Sequence, residues 1–307
     1  MLTDLPADLT ARPLTPDDID AVVELMRRNE ESLFGESFID RADVSAEWAL
    51  PTTDLVTGSC GVAADGVLVA CAEISRNRGY VTVDRAHTGR GLGTALTRWT
   101  ERALATRGNA TAQQVVLEPD TAAARLLEER GYALSWTSWV LRMDDGHAIA
   151  HRALPDGVQV RTFELADAEA VHAVVEDAFS AWIGRERTTL DEWSIENLDR
   201  EGGDPSHHRV ATNDGEVVGA SIVHDSDDTA WVYQLAVRGD HRGMGIGQEL
   251  MAASFEAARA RGVARAALGT DSRTGALGLY ERLGMRVQAT MHVWERPLSP
   301  SEPDATS

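Results

Sequence analysis

The chain has 307 residues, of which 43% are hydrophobic, and its formal net charge at pH 7 is −20. This length is sufficient for two buried cores, and the acidic balance argues against a broad basic face for nucleic acid. With only two cysteines, no apolar run near the ~20 residues of a membrane span and no N-terminal leader pattern, we expect a reduced, cytoplasmic protein that does not enter a membrane.

The first half of the chain alternates strand and helix patterns. A strand and a helical region come first, and a hairpin then turns at Asp65 and Gly66. A strand ending at Val83 leads into a glycine-rich loop, after which a helix, a strand, a helix and a strand are expected. The helices are predicted over residues 16–28, 93–107 and 122–130.

The second half follows a linker over residues 144–158, which has no consistent period and contains Pro and Gly. It repeats the same order of elements, with a hairpin at Asp214 and Gly215 and a strand over 230–237 before its own glycine loop. The tail from Pro297 is expected to be disordered. The helices are predicted over residues 167–179, 247–261 and 275–283.

The two halves align without a gap across the glycine loops. A repeat of about half the chain is too long for a solenoid unit, so it predicts two homologous domains, at residues 1–146 and 156–297. Alternating strands and helices predict an α/β fold, with a mixed twisted sheet flanked by helices in each domain. The aligned pairs are Val83 with Val237, Gly89 with Gly243, Gly91 with Gly245, Gly93 with Gly247 and Leu96 with Leu250.

The order of elements is a strand, then a glycine loop, then the N-terminus of a helix. This arrangement directs several backbone N–H groups toward one point, and the usual ligand there is a phosphate. The loop is not a P-loop, because no Lys-Ser or Lys-Thr follows its glycines. A dinucleotide fingerprint is a poor match, because the spacing is G-x-G-x-G, although Asp271 lies at about the expected distance for its acid.

The whole pattern of the second half resembles the GNAT superfamily of N-acetyltransferases. The resemblance covers nearly the whole chain, and the tandem arrangement is similar to that of mycothiol synthases. The residues that carry it are Val237, Arg242, Gly243, Gly245 and Gly247, followed by Ala276, Leu279, Tyr280, Gly284 and Met285.

The resemblance implies acetyl-CoA as the cosubstrate, with its pantetheine arm along the strand and its pyrophosphate on the loop. Arg242 could add a charge-assisted contact. No metal is expected, because no further ligands accompany the pair His207 and His208 at metal-like spacing. The implied cofactor-binding residues of the second half are Leu235, Ala236, Val237, Arg242, Gly243, Met244, Gly245, Ile246, Gly247 and Gln248.

Tyr280 stands where the family keeps the acid that protonates the leaving thiolate, so it is the expected catalytic residue; the alternative is a tyrosine packed in the core. The general base stays open, because Trp231 occupies the position of a glutamate found in mycothiol-synthase-like sequences. A water relay or an amine that is already neutral would serve equally well. The candidates by residue type alone are His207, His208, Glu196 and Asp225.

The first half departs further from the family pattern, because Thr88 replaces Arg242 and Leu127 replaces Tyr280. It is therefore expected to be non-catalytic, although its backbone could still hold a phosphate. The implied residues are Val83, Gly89, Arg90, Gly91, Leu92 and Gly93.

The predicted function is acetyl transfer from acetyl-CoA to a small-molecule amine in the second half, by a monomer or a homodimer. A non-catalytic acyl-CoA-binding sensor is the alternative, which the loss of the glutamate favours, and a nucleotide-binding protein is a weaker one. The acceptor is expected between the first-helix region and the hairpin. Trp182, Trp193 and Trp231 fall in or near those segments, as pocket walls or as core residues.

Overall fold

The computed structural model describes residues 2, 5–143, 146–180 and 187–298. The first half contains the strands β1 (Leu9–Arg12), β2 (Ser59–Ala64), β3 (Val67–Ser75), β4 (Arg78–Val83), β5 (Thr111–Leu117) and β6 (Ala133–Met143). Its helices are α1 (Ile19–Phe34), α2 (Arg41–Ala49), α3 (Leu55–Gly58), α4 (Leu92–Thr106) and α5 (Thr121–Glu129).

The second half repeats this order. Its strands are β7 (Val158–Thr162), β8 (Arg209–Asn213), β9 (Glu216–Ser226), β10 (Thr229–Val237), β11 (Arg265–Asp271) and β12 (Met285–Pro297). Its helices are α6 (Ala168–Phe179), α7 (Leu190–Asn197), α8 (Ile246–Ala260) and α9 (Leu277–Arg282). No helix in the described part of the chain is long and apolar enough to cross a membrane.

The predicted α/β fold is confirmed, and five of the six predicted helices start and end within two residues of the observed ones. The exception is the helix predicted over residues 16–28. In the structure, Pro16–Asp18 form a short 3-10 turn, and the helix α1 that follows continues to Phe34. It ends there because Gly35 adopts a left-handed conformation with φ +82°.

Both hairpins turn where the Asp-Gly pairs predict. Asp65 and Gly66 have φ values of +48° and +81°, and Asp214 and Gly215 have +49° and +91°. Two consecutive positive φ angles match the twist of the flanking strands, and they are accessible to Asp and Gly at low cost.

The chain divides into two compact units that differ from the predicted domains at their edges. Unit 1 comprises the described residues up to Ser138 and those from Ala289 onward, and unit 2 comprises Trp139–Gln288. The last strand of each half, β6 or β12, therefore begins in one unit and ends in the other. The contiguous domains 1–146 and 156–297 stay a prediction based on the repeat.

Unit 1 is a mixed sheet in the order β1-β2-β3-β4-β5-β12. Strands β4 and β5 are parallel, whereas β5 pairs antiparallel with β12 from Leu117 opposite Met291 to Thr111 opposite Pro297. Helix α4 buries Leu92, Leu96 and Leu104 in one core, and the residues of α1 and β3 form a second.

Unit 2 is a mixed sheet in the order β6-β11-β10-β9-β8-β7, with β10 and β11 parallel. Helix α8 buries Met251 and Phe255 against β10 and β11, while α6 buries Val171 and Val175 against β9 and β10. Because α8 follows β10 directly and packs on it, its N-terminus lies next to the end of that strand.

Candidate active site

The glycine loop of unit 2 has the conformation that an anion site requires. Gly243 and Gly245 have φ values of +76° and +85°, which L-residues with a Cβ rarely adopt. Gly245 is the N-cap of α8, so the N–H groups of Ile246, Gly247 and Gln248 in the first turn have no carbonyl partner within the helix. These donors lie at the positive end of the helix dipole, where a phosphate is stabilised.

Strand β10 opens away from its parallel neighbour just before this loop. It pairs with β11 from Thr229 to Val232, and in the described residues that pairing goes no further, whereas pairing with β9 continues to Val237. Leu235, Ala236 and Val237 thus present one backbone edge that β11 does not occupy, and an extended ligand arm could pair with such an edge.

A β-bulge stands where the two strands separate. The register of β10 with β9 shifts between Val232 and Gln234, which leaves Tyr233 as the extra residue. Bulges redirect side chains and end strand pairing, and they are common next to active sites. The corresponding pairing of β3 with β4 in unit 1 runs from Ala70 to Ser75 without a shift, so this feature distinguishes the two halves.

Arg242 makes contacts that the sequence did not indicate. Its Nε donates to the carbonyl oxygen of Val237 at 3.1 Å, and its Nη2 donates to that of Ala178 at 3.2 Å. The side chain thereby braces the loop against the ends of β10 and α6. The phosphate contact of Arg242 stays a prediction, with two of its donors already used inside the protein.

Tyr280 lies on α9 with its ring in the core of unit 2 and 9% of its surface exposed. Burial raises the pKa of its phenol above the ordinary value of 10.0. In the part of the chain that the structure describes, no hydrogen bond engages its hydroxyl. The unused O–H leaves Tyr280 able to donate to a bound group, although the buried hydroxyl of Tyr132 in unit 1 also has no hydrogen-bond partner among the described residues.

The loop of unit 1 borders a cavity of about 480 Å³. Leu127, which aligns with Tyr280, lines this cavity, so the acid position of the repeat faces the loop in that half. Arg90 is bound instead to Asp8, with Nη2 2.7 Å from the carboxylate. Predicted binding residues in the wall are Val83, Gly89, Gly91, Leu92 and Gly93.

The histidines named as base candidates are engaged elsewhere. His208 is fully buried, its Nε2 is 3.1 Å from the carbonyl of Asn197, its Nδ1 accepts from the N–H of Val223, and burial lowers its pKa to about 4. His207 lies 3.3 Å from Asp225, and Arg261 pairs with the same carboxylate at 2.9 Å. Glu196 lies half-buried on α7. No group of three metal-ligating side chains occurs among the described residues.

His224 on β9 is a residue that sequence analysis missed. It is 2% exposed, and its ring nitrogens have no hydrogen-bond partner among the described residues. Its ring centroid is 4.9 Å from that of Tyr233, and burial lowers its pKa to about 2, so it is neutral. All residues of β9 from Val218 to His224 are buried, so no apolar–polar alternation in the sequence could have indicated this position.

Of the three tryptophans expected near the acceptor, Trp193 is a core residue. It is 1% exposed, and its Nε1 donates to the side-chain oxygen of Gln234 at 2.9 Å. Trp231 is half-buried and lies opposite His224 in the register of β10 with β9. Trp182 lies outside the described residues.

The sequence profile of the acetyltransferase (GNAT) family matches residues 19–132 and 169–285, once in each half. The chain belongs to this family. Two matched regions confirm the tandem arrangement, and membership favours an enzyme, an N-acetyltransferase, over a non-catalytic sensor or a general nucleotide-binding protein. The family uses acetyl-CoA or another acyl-CoA.

Two relatives are mycothiol acetyltransferases. The protein of Streptomyces avermitilis is 30% identical over 221 residues, which are 68% of this chain and 68% of that protein. The protein of Thermobispora bispora is 32% identical over 176 residues, which are 53% of this chain and 58% of that protein. The resemblance to the mycothiol synthase type is thus confirmed.

Two solved structures share the fold along nearly the whole chain. The GCN5-related N-acetyltransferase from Sphaerobacter thermophilus has a TM-score of 0.79 and 28% identity, with 99% of this chain and 100% of that chain covered. The tandem GNAT protein from the clavulanic acid biosynthesis pathway has a TM-score of 0.72 and 18% identity, with 96% and 100% covered.

Proposed function

We propose that this enzyme transfers the acetyl group of acetyl-CoA to the amine of a small molecule, and that the second half performs the chemistry. The observation that carries the proposal is Tyr280: a protonated phenol with an unused hydroxyl, at the position whose counterpart in unit 1 faces the glycine loop. The names of the mycothiol acetyltransferase relatives support a small-molecule acceptor.

The residues of unit 2 fit such a cosubstrate. The loop is open at Gly243, because a Cβ built there would meet no described atom within 4 Å outside its chain neighbours, whereas at Gly245 the side-chain stem of Arg152 lies beside the loop. The N–H groups from Gly243 to Gln248 would hold the pyrophosphate, and the open edge at Leu235 and Ala236 would bind the pantetheine arm. When bound, acetyl-CoA supplies a thioester that the acceptor amine attacks.

Tyr280 holds the proton that the leaving sulfur needs. A free thiol has a pKa of about 8.5, so a phenol with a pKa raised by burial remains protonated at neutral pH and can donate to the developing thiolate. Trp231 offers no carboxylate, so we propose that solvent takes one proton of the ammonium before the attack and a second nitrogen proton as the C–N bond forms and the C–S bond breaks. Solvent then returns a proton to the phenolate of Tyr280.

We further propose that the first half binds CoA without turning it over. The cavity beside its loop supports binding, and Leu127 in the wall cannot donate a proton. Its residues would be Val83 and those from Gly89 to Gly93.

The proposal is tested by incubating the protein with acetyl-CoA and each of a panel of small amines. The quantity measured is the release of free CoA thiol. We expect amine-dependent release well above thioester hydrolysis. Hydrolysis that no amine in a broad panel accelerates would contradict acetyl transfer to a small molecule.

A further inference from the structure

A segment of the linker, residues 150–152, is attached to the first turn of α8, and we call it the strap. We infer that the strap completes the phosphate site of unit 2, with Arg152 as the cation that binds a phosphate of CoA. The inference rests on the proposed function, because it concerns a further residue of the same cofactor site.

Arg152 lies directly on the glycine loop. The side-chain stem passes the α-carbon of Gly245 so closely that a Cβ built there would be 3.4 Å from the Cβ of Arg152 and 3.5 Å from its Cγ. The Nε donates to the side-chain oxygen of Gln248 at 3.1 Å. Both contacts hold the guanidinium beside the helix N-terminus that is proposed to bind the pyrophosphate.

Two hydrogen bonds to the backbone of the strap and one to the His151 side chain hold it on α8. The N–H of Arg152 donates to Glu249 at 2.8 Å, His151 Nδ1 lies 2.8 Å from the other oxygen of that carboxylate, and the amide of Gln248 donates to the carbonyl of Ala150 at 2.8 Å. Thr94 and Ala95 stand at the positions of Gln248 and Glu249 in the first half. That half therefore lacks the side chains for these attachments.

Arg152 forms no ion pair within the described part of the chain. No carboxylate of the described residues lies within ion-pair distance of its guanidinium. Other arginines near the two glycine loops are paired, Arg90 with Asp8 at 2.7 Å and Arg238 with Asp240 at 2.8 Å. The guanidinium of Arg242 already donates to two backbone carbonyl oxygens. Arg152 is therefore the better placed of the two arginines to bind a phosphate.

The test measures CoA affinity by calorimetry on the full chain carrying Gly91→Val, so that the heat reports on the second half. Arg152→Ala should weaken the affinity about tenfold to a hundredfold, the size of a lost charge-assisted hydrogen bond. Arg152→Lys should recover part of the loss. The matched control is Arg259→Ala. Arg259 is an exposed arginine on α8 that also contacts the linker, at the carbonyl oxygen of His147. The CoA affinity of this variant should not change.

Dephospho-CoA, which lacks only the 3′-phosphate, identifies the phosphate. If Arg152→Ala weakens both ligands equally, Arg152 binds the pyrophosphate, and if it weakens only CoA, the contact is with the 3′-phosphate; both results support the inference. Equal affinities of Arg152→Ala and the Arg259→Ala control would overturn it and leave the proposed function standing. If the Gly91→Val protein binds no CoA, both fail.

Discussion

Replacing Tyr280 with phenylalanine separates proton donation from packing. The ring is buried and the hydroxyl has no hydrogen-bond partner among the described residues. The substitution therefore removes no internal hydrogen bond, and we expect the free energy of unfolding to change by less than ~0.5 kcal/mol. CoA affinity should be unchanged, because the phenol acts only when the sulfur leaves.

Turnover should fall by about a hundredfold to ten-thousandfold, which corresponds to roughly 3–5 kcal/mol of lost transition-state stabilisation. The assay is the release of CoA thiol with an amine that the wild type accepts. The matched control is Tyr132→Phe, the same change at a tyrosine of unit 1 that is 4% exposed, and its turnover should equal that of the wild type. If Tyr280→Phe turns over within twofold of the wild type while folded, the residue is a packing tyrosine and the general acid lies elsewhere.

Two predictions concern pH. Glu73 accepts a hydrogen bond from Trp48 Nε1, and burial raises its pKa to about 7 from 4.5. The folded state thus binds the proton of the Glu73 carboxyl more tightly than the unfolded chain does. The free energy of unfolding therefore falls by about 3 kcal/mol as the pH rises from 4.5 to about 7. Urea unfolding at pH 5 and pH 8 should show that Glu73→Gln removes this loss, and equal pH slopes in both proteins would refute it. For catalysis, kcat/KM should rise with pH up to the pKa of the acceptor amine itself; an additional inflection that stays at one pH for amines of different pKa would indicate a protein base.

Local patterns predicted much of the fold. The Asp-Gly hairpins and the glycine loops were predictable because positive φ angles restrict the residue types that can stand there. The crossing of β6 and β12 between the two units was not predictable, because both halves carry the same strand pattern. The sequence of neither half specifies which of the two sheets its last strand joins.

The site was predictable where a motif is contiguous, as in the loop from Arg242 to Gln248 and the position of Tyr280. Contacts between distant segments were not. The hydrogen bond of Arg242 to Ala178 spans 64 residues, and that of Arg152 to Glu249 spans 97. Such contacts depend on packing geometry, which periodicity and spacing do not specify.

The most direct test of catalysis in the second half compares Gly91→Val with Gly245→Val. The two glycines have φ values of +80° and +85°, so valine imposes similar backbone strain in each loop. With acetyl-CoA and an accepted amine, we predict that Gly91→Val retains most of the turnover and that Gly245→Val loses it together with CoA binding in the second half. Loss of turnover in a folded Gly91→Val protein, or full turnover in Gly245→Val, would contradict the assignment of catalysis to the second half.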